Sequence, residues 1–253
     1  MTSRLSRSSR FLRVPDWLNV LAIAAWGVVL LQYWLRGKLG LLIHPNYFGL
    51  TIAAGFTLLL IAVLEALRLL RTRPAAMVQH LTLFPPGWMS GVLLAAALLG
   101  LMITPRAFAS QTAIQRGLAD TFAVTRAQPQ AFRSSTRPEA RSLIDWVRTL
   151  AVYPEPDAYT GQKVKVQGFV VYPPNLSDDY FIVSRFVITC CAADAYPVGL
   201  PVKLSQSRQA YPPDRWLEVE GRIITENLDG KRQLTIQAHS LKPIPEPENP
   251  YSY

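Results

Sequence analysis

The chain has 253 residues, half of them hydrophobic, and a formal net charge of +9. The charge is uneven: residues 1–104 hold Asp16 and Glu65 against nine Arg and Lys, a net of +7, whereas residues 105–253 hold seventeen basic and fifteen acidic residues, a net of +2. A nucleic-acid surface needs its basic residues gathered on a folded face; here the surplus flanks apolar runs, which argues against nucleic acid and for the lipid bilayer as partner.

Residues 1–16 read as a basic cytoplasmic tail, with Arg4, Arg7, Arg10 and Arg13 beside anionic headgroups. Three apolar runs follow, Trp17 to Leu35, Tyr47 to Leu67 and Gly87 to Thr104, within a membrane block over 17–104. Each approaches the roughly 20 residues that carry a helix across about 30 Å of hydrocarbon. The first run has Trp17, Trp26, Tyr33 and Trp34, with rings at both ends as expected at headgroup level. It is longer than the apolar part of a cleaved leader and no small-residue cleavage site follows, so it reads as a retained span. The third is rich in Gly and Ala, which suits helix-on-helix packing.

Positive charge sets the orientation. The tail carries four Arg, the first loop Arg36 and Lys38, and the second loop Arg68, Arg71 and Arg73. With three spans, the tail and second loop lie in the cytoplasm, and the first loop and the C-terminal domain lie outside a plasma membrane. Glu65 falls three residues before Arg68, so pairing near the interface is expected of it rather than a place in a transport path.

Residues 105–136 read as a linker in which Ile114, Leu118 and Phe122 make a weak helical stripe. A soluble domain over 137–253 begins at Thr136-Arg137-Pro138-Glu139, where Thr followed by Glu and a first-turn Pro signal a helix start. Leu143, Ile144, Val147, Leu150 and Ala151 continue one apolar face, predicting an amphipathic helix over 137–152. Beyond Gly161 the period becomes two. Strands are expected at Lys163 to Tyr172, Tyr180 to Cys191, Val198 to Leu204, Arg215 to Thr225 and Gln233 to Leu241, separated by Pro, Asn, Asp and Gly.

The run from Tyr159 to Val170, with Leu217 to Ile223 and Leu234-Thr235-Ile236, resembles the strand signature of OB-fold barrels. The expected fold is therefore three membrane helices carrying a small five-stranded OB-like barrel. It departs from many OB-folds in the short, Pro-containing connection 205–214, so an SH3-like barrel or a small sandwich is a second expectation. The fold by itself names no ligand.

Cys190 and Cys191 are the chain's two cysteines, adjacent within Thr189-Cys190-Cys191-Ala192-Ala193-Asp194. In an extended strand neighbouring side chains point to opposite faces, so both sulfurs reach one ion only where the chain bends. Three readings stay open: small buried residues at a strand end, a metal site of Cys190 and Cys191 with Asp194 and a histidine, or a redox pair forming a strained vicinal disulfide. His44, between the first two runs, shares the expected outer side and is the candidate histidine; His80 and His239 are expected to face solvent. Sulfur, imidazole and carboxylate suit zinc or another divalent metal. The soluble half has no G-x-S-x-G elbow, P-loop, H-E-x-x-H pair or C-x-x-C, so no enzyme class has motif support. Asp178 and Asp179 read as turn residues.

The Cys-Cys-Ala-Ala-Asp-Ala segment after an Arg-Phe-hydrophobic strand, the run Gly161 to Val170, and Ile43-His44-Pro45 between two spans resemble the YcgQ-like family of membrane proteins. That resemblance implies a non-enzymatic subunit associated with a multi-spanning permease and a link to metal homeostasis. It supplies no catalytic residues.

Overall fold

In a computed structural model, residues 14–71, 87–118 and 137–253 are described. Arg4, Arg7, Arg10 and Arg13 of the tail, Arg73, His80, Phe122 and the helix-start residue Thr136 lie outside them. The chain divides into two units, Met1–Arg106 and Ala107–Tyr253.

Among its described residues the first unit has three α-helices, α1 (Val14–Leu35), α2 (Phe48–Arg71) and α3 (Trp88–Met102). Among the described residues two helices are long and apolar enough to cross a membrane, Val14–Leu35 and Pro45–Arg71. The expected third span is helical over only 15 residues, about 22 Å at 1.5 Å per residue and short of a 30 Å core.

Small residues bring α1 and α2 together. A Cβ on Gly27 would lie 2.9 Å from Leu59 and 3.0 Å from the Gly55 carbonyl, and one on Gly55 would lie 2.9 Å from Leu31. Polar groups tie α1 to α3: Trp26 Nε1 donates to Leu93 O at 3.1 Å, Tyr33 Oη to Gly100 O at 2.5 Å, and Ser90 Oγ to Asn19 Oδ1. Leu50, Phe56, Leu60 and Met102 stay exposed, an outward apolar surface that suits lipid better than water. Glu65 and Arg68 pair at 3.4 Å, as the spacing implies.

The second unit contains α4 (Ser110–Gln115), α5 (Leu143–Val152), β1 (Lys163–Val171), β2 (Tyr180–Val187), β3 (Tyr196–Lys203), β4 (Trp216–Leu228), β5 (Lys231–Pro243) and β6 (Tyr251–Ser252). The helix expected over 137–152 starts later. Pro138–Ala140 form a 3-10 turn, Arg141 is extended, and α5 is capped by Ser142. Ser142 Oγ accepts the Asp145 N–H at 3.3 Å while the Asp145 carboxylate accepts the Ser142 N–H at 3.1 Å. This reciprocal pair satisfies two helix-end donors, leaving Pro138 to make only the preceding turn.

The strands form a mixed six-stranded sheet in the order β1-β4-β5-β3-β2-β6, in place of the five strands expected. β1 also pairs with β2, from Phe169↔Ser184 to Val171↔Ile182. The extra strand, β6, runs parallel to β2 and is two residues long, too short for any alternation to announce it. β3 and β5 are parallel, while β1–β4, β4–β5 and β2–β3 are antiparallel. Trp146 of α5 packs on a core of Val166, Phe181, Val183, Leu217 and Ile236. On the opposite, exposed face of β1 and β4, Lys165 pairs with Glu218 at 3.1 Å and Glu220 at 2.7 Å.

The chain from Ala107 to Leu118 belongs to this second unit. The Phe108 ring stands 5.2 Å from Phe186 and 5.8 Å from Tyr251, the Ser110 N–H donates to Asp214, and Ala113 and Leu118 are buried.

Candidate metal centre

The β2–β3 connection carries the cysteine pair. The strand expected to run from Tyr180 to Cys191 ends at Val187. After Ile188, whose N–H still donates to Ser252 O at 3.0 Å, the chain turns, and Ala192–Asp194 form a 3-10 turn before β3. The cause is Asp194. Its Oδ2 accepts the Cys190 N–H at 2.8 Å and the Thr189 hydroxyl, and its Oδ1 accepts the N–H groups of Cys191 at 3.3 Å and Thr189 at 3.4 Å. A strand would send successive N–H groups to opposite sides; a single carboxylate gathers these three and bends the chain.

That bend brings the sulfurs to one side. Cys190 Sγ lies 3.6 Å from Cys191 Sγ and donates its S–H to it; the Cys191 sulfur also accepts the Asp194 N–H. Both thiols are free, Cys190 exposed and Cys191 half-buried, so neither is the buried core residue of the first reading. Two thiolates on one zinc, each at about 2.3 Å in tetrahedral geometry, stand about 3.8 Å apart. The observed separation fits that bite without rearrangement. Ligand atoms of Cys190, Cys191 and Asp194 all lie within 4.8 Å of one another, the one such group of His, Cys, Asp or Glu among the described residues.

The carboxylate beside it and the neighbouring Cys191 sulfur push the Cys190 thiol up to about 11. For Asp194, partial burial works against ionisation, but the hydrogen bonds from Thr189, Cys190 and Cys191 outweigh it and hold the acid at about 2. A thiol protonated at neutral pH is a weak nucleophile, which disfavours redox exchange. Metal binding tolerates it, because the ion displaces the proton.

His44 lies in the first unit, where its Nδ1 accepts the Asn46 N–H at 3.1 Å at the head of the turn Pro45–Tyr47. His239 is exposed on β5 beside a small cleft that Gln206 and Tyr211 also line. Asp178 pairs with Arg208 at 2.9 Å, a turn role as expected.

Sequence reasoning missed Arg116. From the end of α4 it donates to the carbonyls of Ala192, at 3.3 Å, and Ala195, on either side of Asp194, while its guanidinium lies 4.6 Å from the Phe108 ring centre. A single arginine far upstream carries no pattern that could have linked it to this turn.

No curated protein and no solved structure matches the chain. The family model described as the DUF1980 C-terminal domain matches residues 141–253, the α5 and β-sheet portion that holds the cysteine turn. The likeness to that family is therefore shown for the C-terminal unit's residues 141–253.

Proposed function

We propose that this chain is a non-enzymatic integral-membrane subunit of a multi-spanning permease, whose C-terminal β domain holds a thiophilic divalent metal, zinc or one of similar softness, on Cys190 and Cys191. The observation that carries the metal reading is the pair of free sulfurs 3.6 Å apart on a turn fixed by the Asp194 carboxylate. Thiolates are the ligands that select such ions over magnesium or calcium. His44 enters the reading through residue type alone, and His44→Ala is the variant that tests it.

The permease partner rests on the resemblance of the Cys-Cys-Ala-Ala-Asp and Ile43-His44-Pro45 segments to YcgQ-like proteins. It is supported by the described membrane helices, where Glu65 already pairs with Arg68, since an ion path needs ionisable or polar lining that is not so engaged. The finer architecture belongs to the same proposal: three spans, the β domain outside a plasma membrane, and an OB-like barrel closed where β1 meets both β4 and β2.

Zinc titration of the full chain in detergent tests the site. Wild type is expected to bind one ion per chain and the Cys190→Ser, Cys191→Ser double variant none; equal binding by both would sink the metal reading. Retention of a multi-spanning permease on the tagged chain after detergent extraction tests the partner, and its consistent absence leaves a self-contained metal-binding protein in place of a subunit.

A further inference from the structure

The turn that brings the two sulfurs together also shows how few donors this unit can offer an ion. An ionised carboxylate has about four lone-pair positions. Asp194 fills four with the Thr189 hydroxyl and the N–H groups of Thr189, Cys190 and Cys191. It is spent on shaping the turn. Arg116 holds the same turn from behind through the carbonyls of Ala192 and Ala195. Among the described residues of this second unit, no histidine or further acid joins the group formed by Cys190, Cys191 and Asp194.

Structural zinc sites close a tetrahedron with four protein ligands. With two sulfurs on an exposed turn and Asp194 engaged elsewhere, this site closes half of one. The Cys190 sulfur is exposed, so the remaining positions face outward.

We infer that Cys190 and Cys191 form an open half-shell, that Asp194 is a positioning residue rather than a ligand, and that the ion's remaining positions are filled by soft donors of another molecule. This rests on the metal reading above and assigns the site a transfer role: an incoming thiol adds to the bound ion, and ligands exchange one at a time without the ion passing free through water. No redox change is involved; each incoming thiol gives its proton to solvent as it becomes a thiolate ligand and displaces a bound water.

X-ray absorption on the full chain in detergent, loaded with zinc alone, tests the half-shell. Two sulfurs per zinc are expected, the remaining neighbours being oxygen or nitrogen, with the sulfur number rising to three or four in excess glutathione. A sulfur number fixed at two under saturating glutathione overturns the inference, as does one zinc held by four sulfurs of two chains. The role of Asp194 is read from the order of two variants. Asn keeps one acceptor oxygen at the same reach, enough for two of the four donors, so Asp194→Asn should lose zinc affinity by only a few-fold. Asp194→Glu, a carboxylate on a longer stem, cannot gather the same three N–H groups and should lose about tenfold or more, as expected when an outer-shell partner is misplaced. A ligating Asp194 gives the reverse order and overturns the assignment. His44→Ala should leave zinc affinity unchanged, and a tenfold loss would close the shell from within the chain and overturn the inference. If wild type binds no zinc at all, the metal reading itself fails; bound zinc with the reverse variant order defeats only the open half-shell.

Discussion

At the residue scale, one negative charge does two jobs in the cysteine turn. The Asp194 carboxylate collects three N–H groups and so bends the chain, and it also faces the Cys190 thiol and opposes its ionisation. The two effects have opposite signs in pH. Asp194 is depressed to about 2 from 3.8, so its contribution to folding is complete above pH 3.8 and is lost as pH falls through about 2. Cys190 is raised from 9.0 to about 11, so its protonated form suits the folded turn; that contribution is complete below pH 9.0 and is lost as pH rises through about 11. Alkylation of the metal-free chain, followed residue by residue by mass spectrometry, should therefore show Cys190 reacting with a midpoint near pH 11. In Asp194→Asn, which keeps an acceptor and drops the charge, the midpoint should fall toward 9.0. An unchanged midpoint would show that the carboxylate is not what holds the proton on sulfur.

At the scale of elements, the sheet depends on close backbone approach at Gly168. Gly168 sits opposite Leu217 of β4 as β1 passes toward its second partner, β2. A Cβ there would lie 2.5 Å from Ser184 O, a backbone atom that cannot swing aside. Gly168→Ala should cost about 1–3 kcal/mol through overpacking, seen as a lower midpoint in urea unfolding of the full chain followed by tryptophan fluorescence. A variant as stable as wild type would mean that β1 and β2 separate easily. The alternation along Lys163 to Val171, buried at every second residue over its first half, was legible because one face of β1 meets the core and the other meets water. Other features were not legible, for physical reasons. The end of β2 at Val187 depends on a carboxylate seven residues downstream, and the start of α5 at Ser142 on a cap that competes with the equally plausible Thr136. α4 is six residues long and β6 two, so neither has room for a period; tertiary contacts of Phe108, Leu118 and Tyr251 determine both. The bulge between Glu220 and Gly221 likewise follows from pairing with β5. The candidate cysteines were visible as a pair, whereas their shared side and the Arg116 brace required the turn itself.

At the scale of the whole molecule, the number of spans decides which compartment the thiols meet. Two crossings by α1 and α2 return the chain to the side of its N-terminus. A third by α3 sends the C-terminal unit across. At 15 residues α3 alone reaches about 22 Å, yet the apolar run continues through Ile103 and Thr104, and the Gly100 carbonyl and Ser90 hydroxyl tie α3 to Tyr33 and Asn19 of α1. A short helix packed on a longer one is accommodated by local thinning or tilt at a modest cost. In the proposed topology, Arg68 and Arg71 at the end of α2 lie in a cytoplasmic loop before α3 and the C-terminal unit lies outside. Fusions made just after Met102 test the choice directly: alkaline phosphatase, active only outside the cytoplasm, should be active there, and the same fusion after Arg71 should be silent. Silence at both positions would leave two spans and a cytoplasmic β domain. The consequence reaches the cysteines, because cytoplasmic thiols are kept reduced whereas outward ones meet oxidant. On the outer side the geometry is protective: adjacent cysteines close a disulfide only with strain, and the proton retained on Cys190 slows the thiolate attack that would form one. An outward thiol pair that stays reduced is what thiolate capture of a metal requires, and the metal-free chain extracted from intact cells under a fast alkylating quench should carry two alkyl groups, on Cys190 and Cys191.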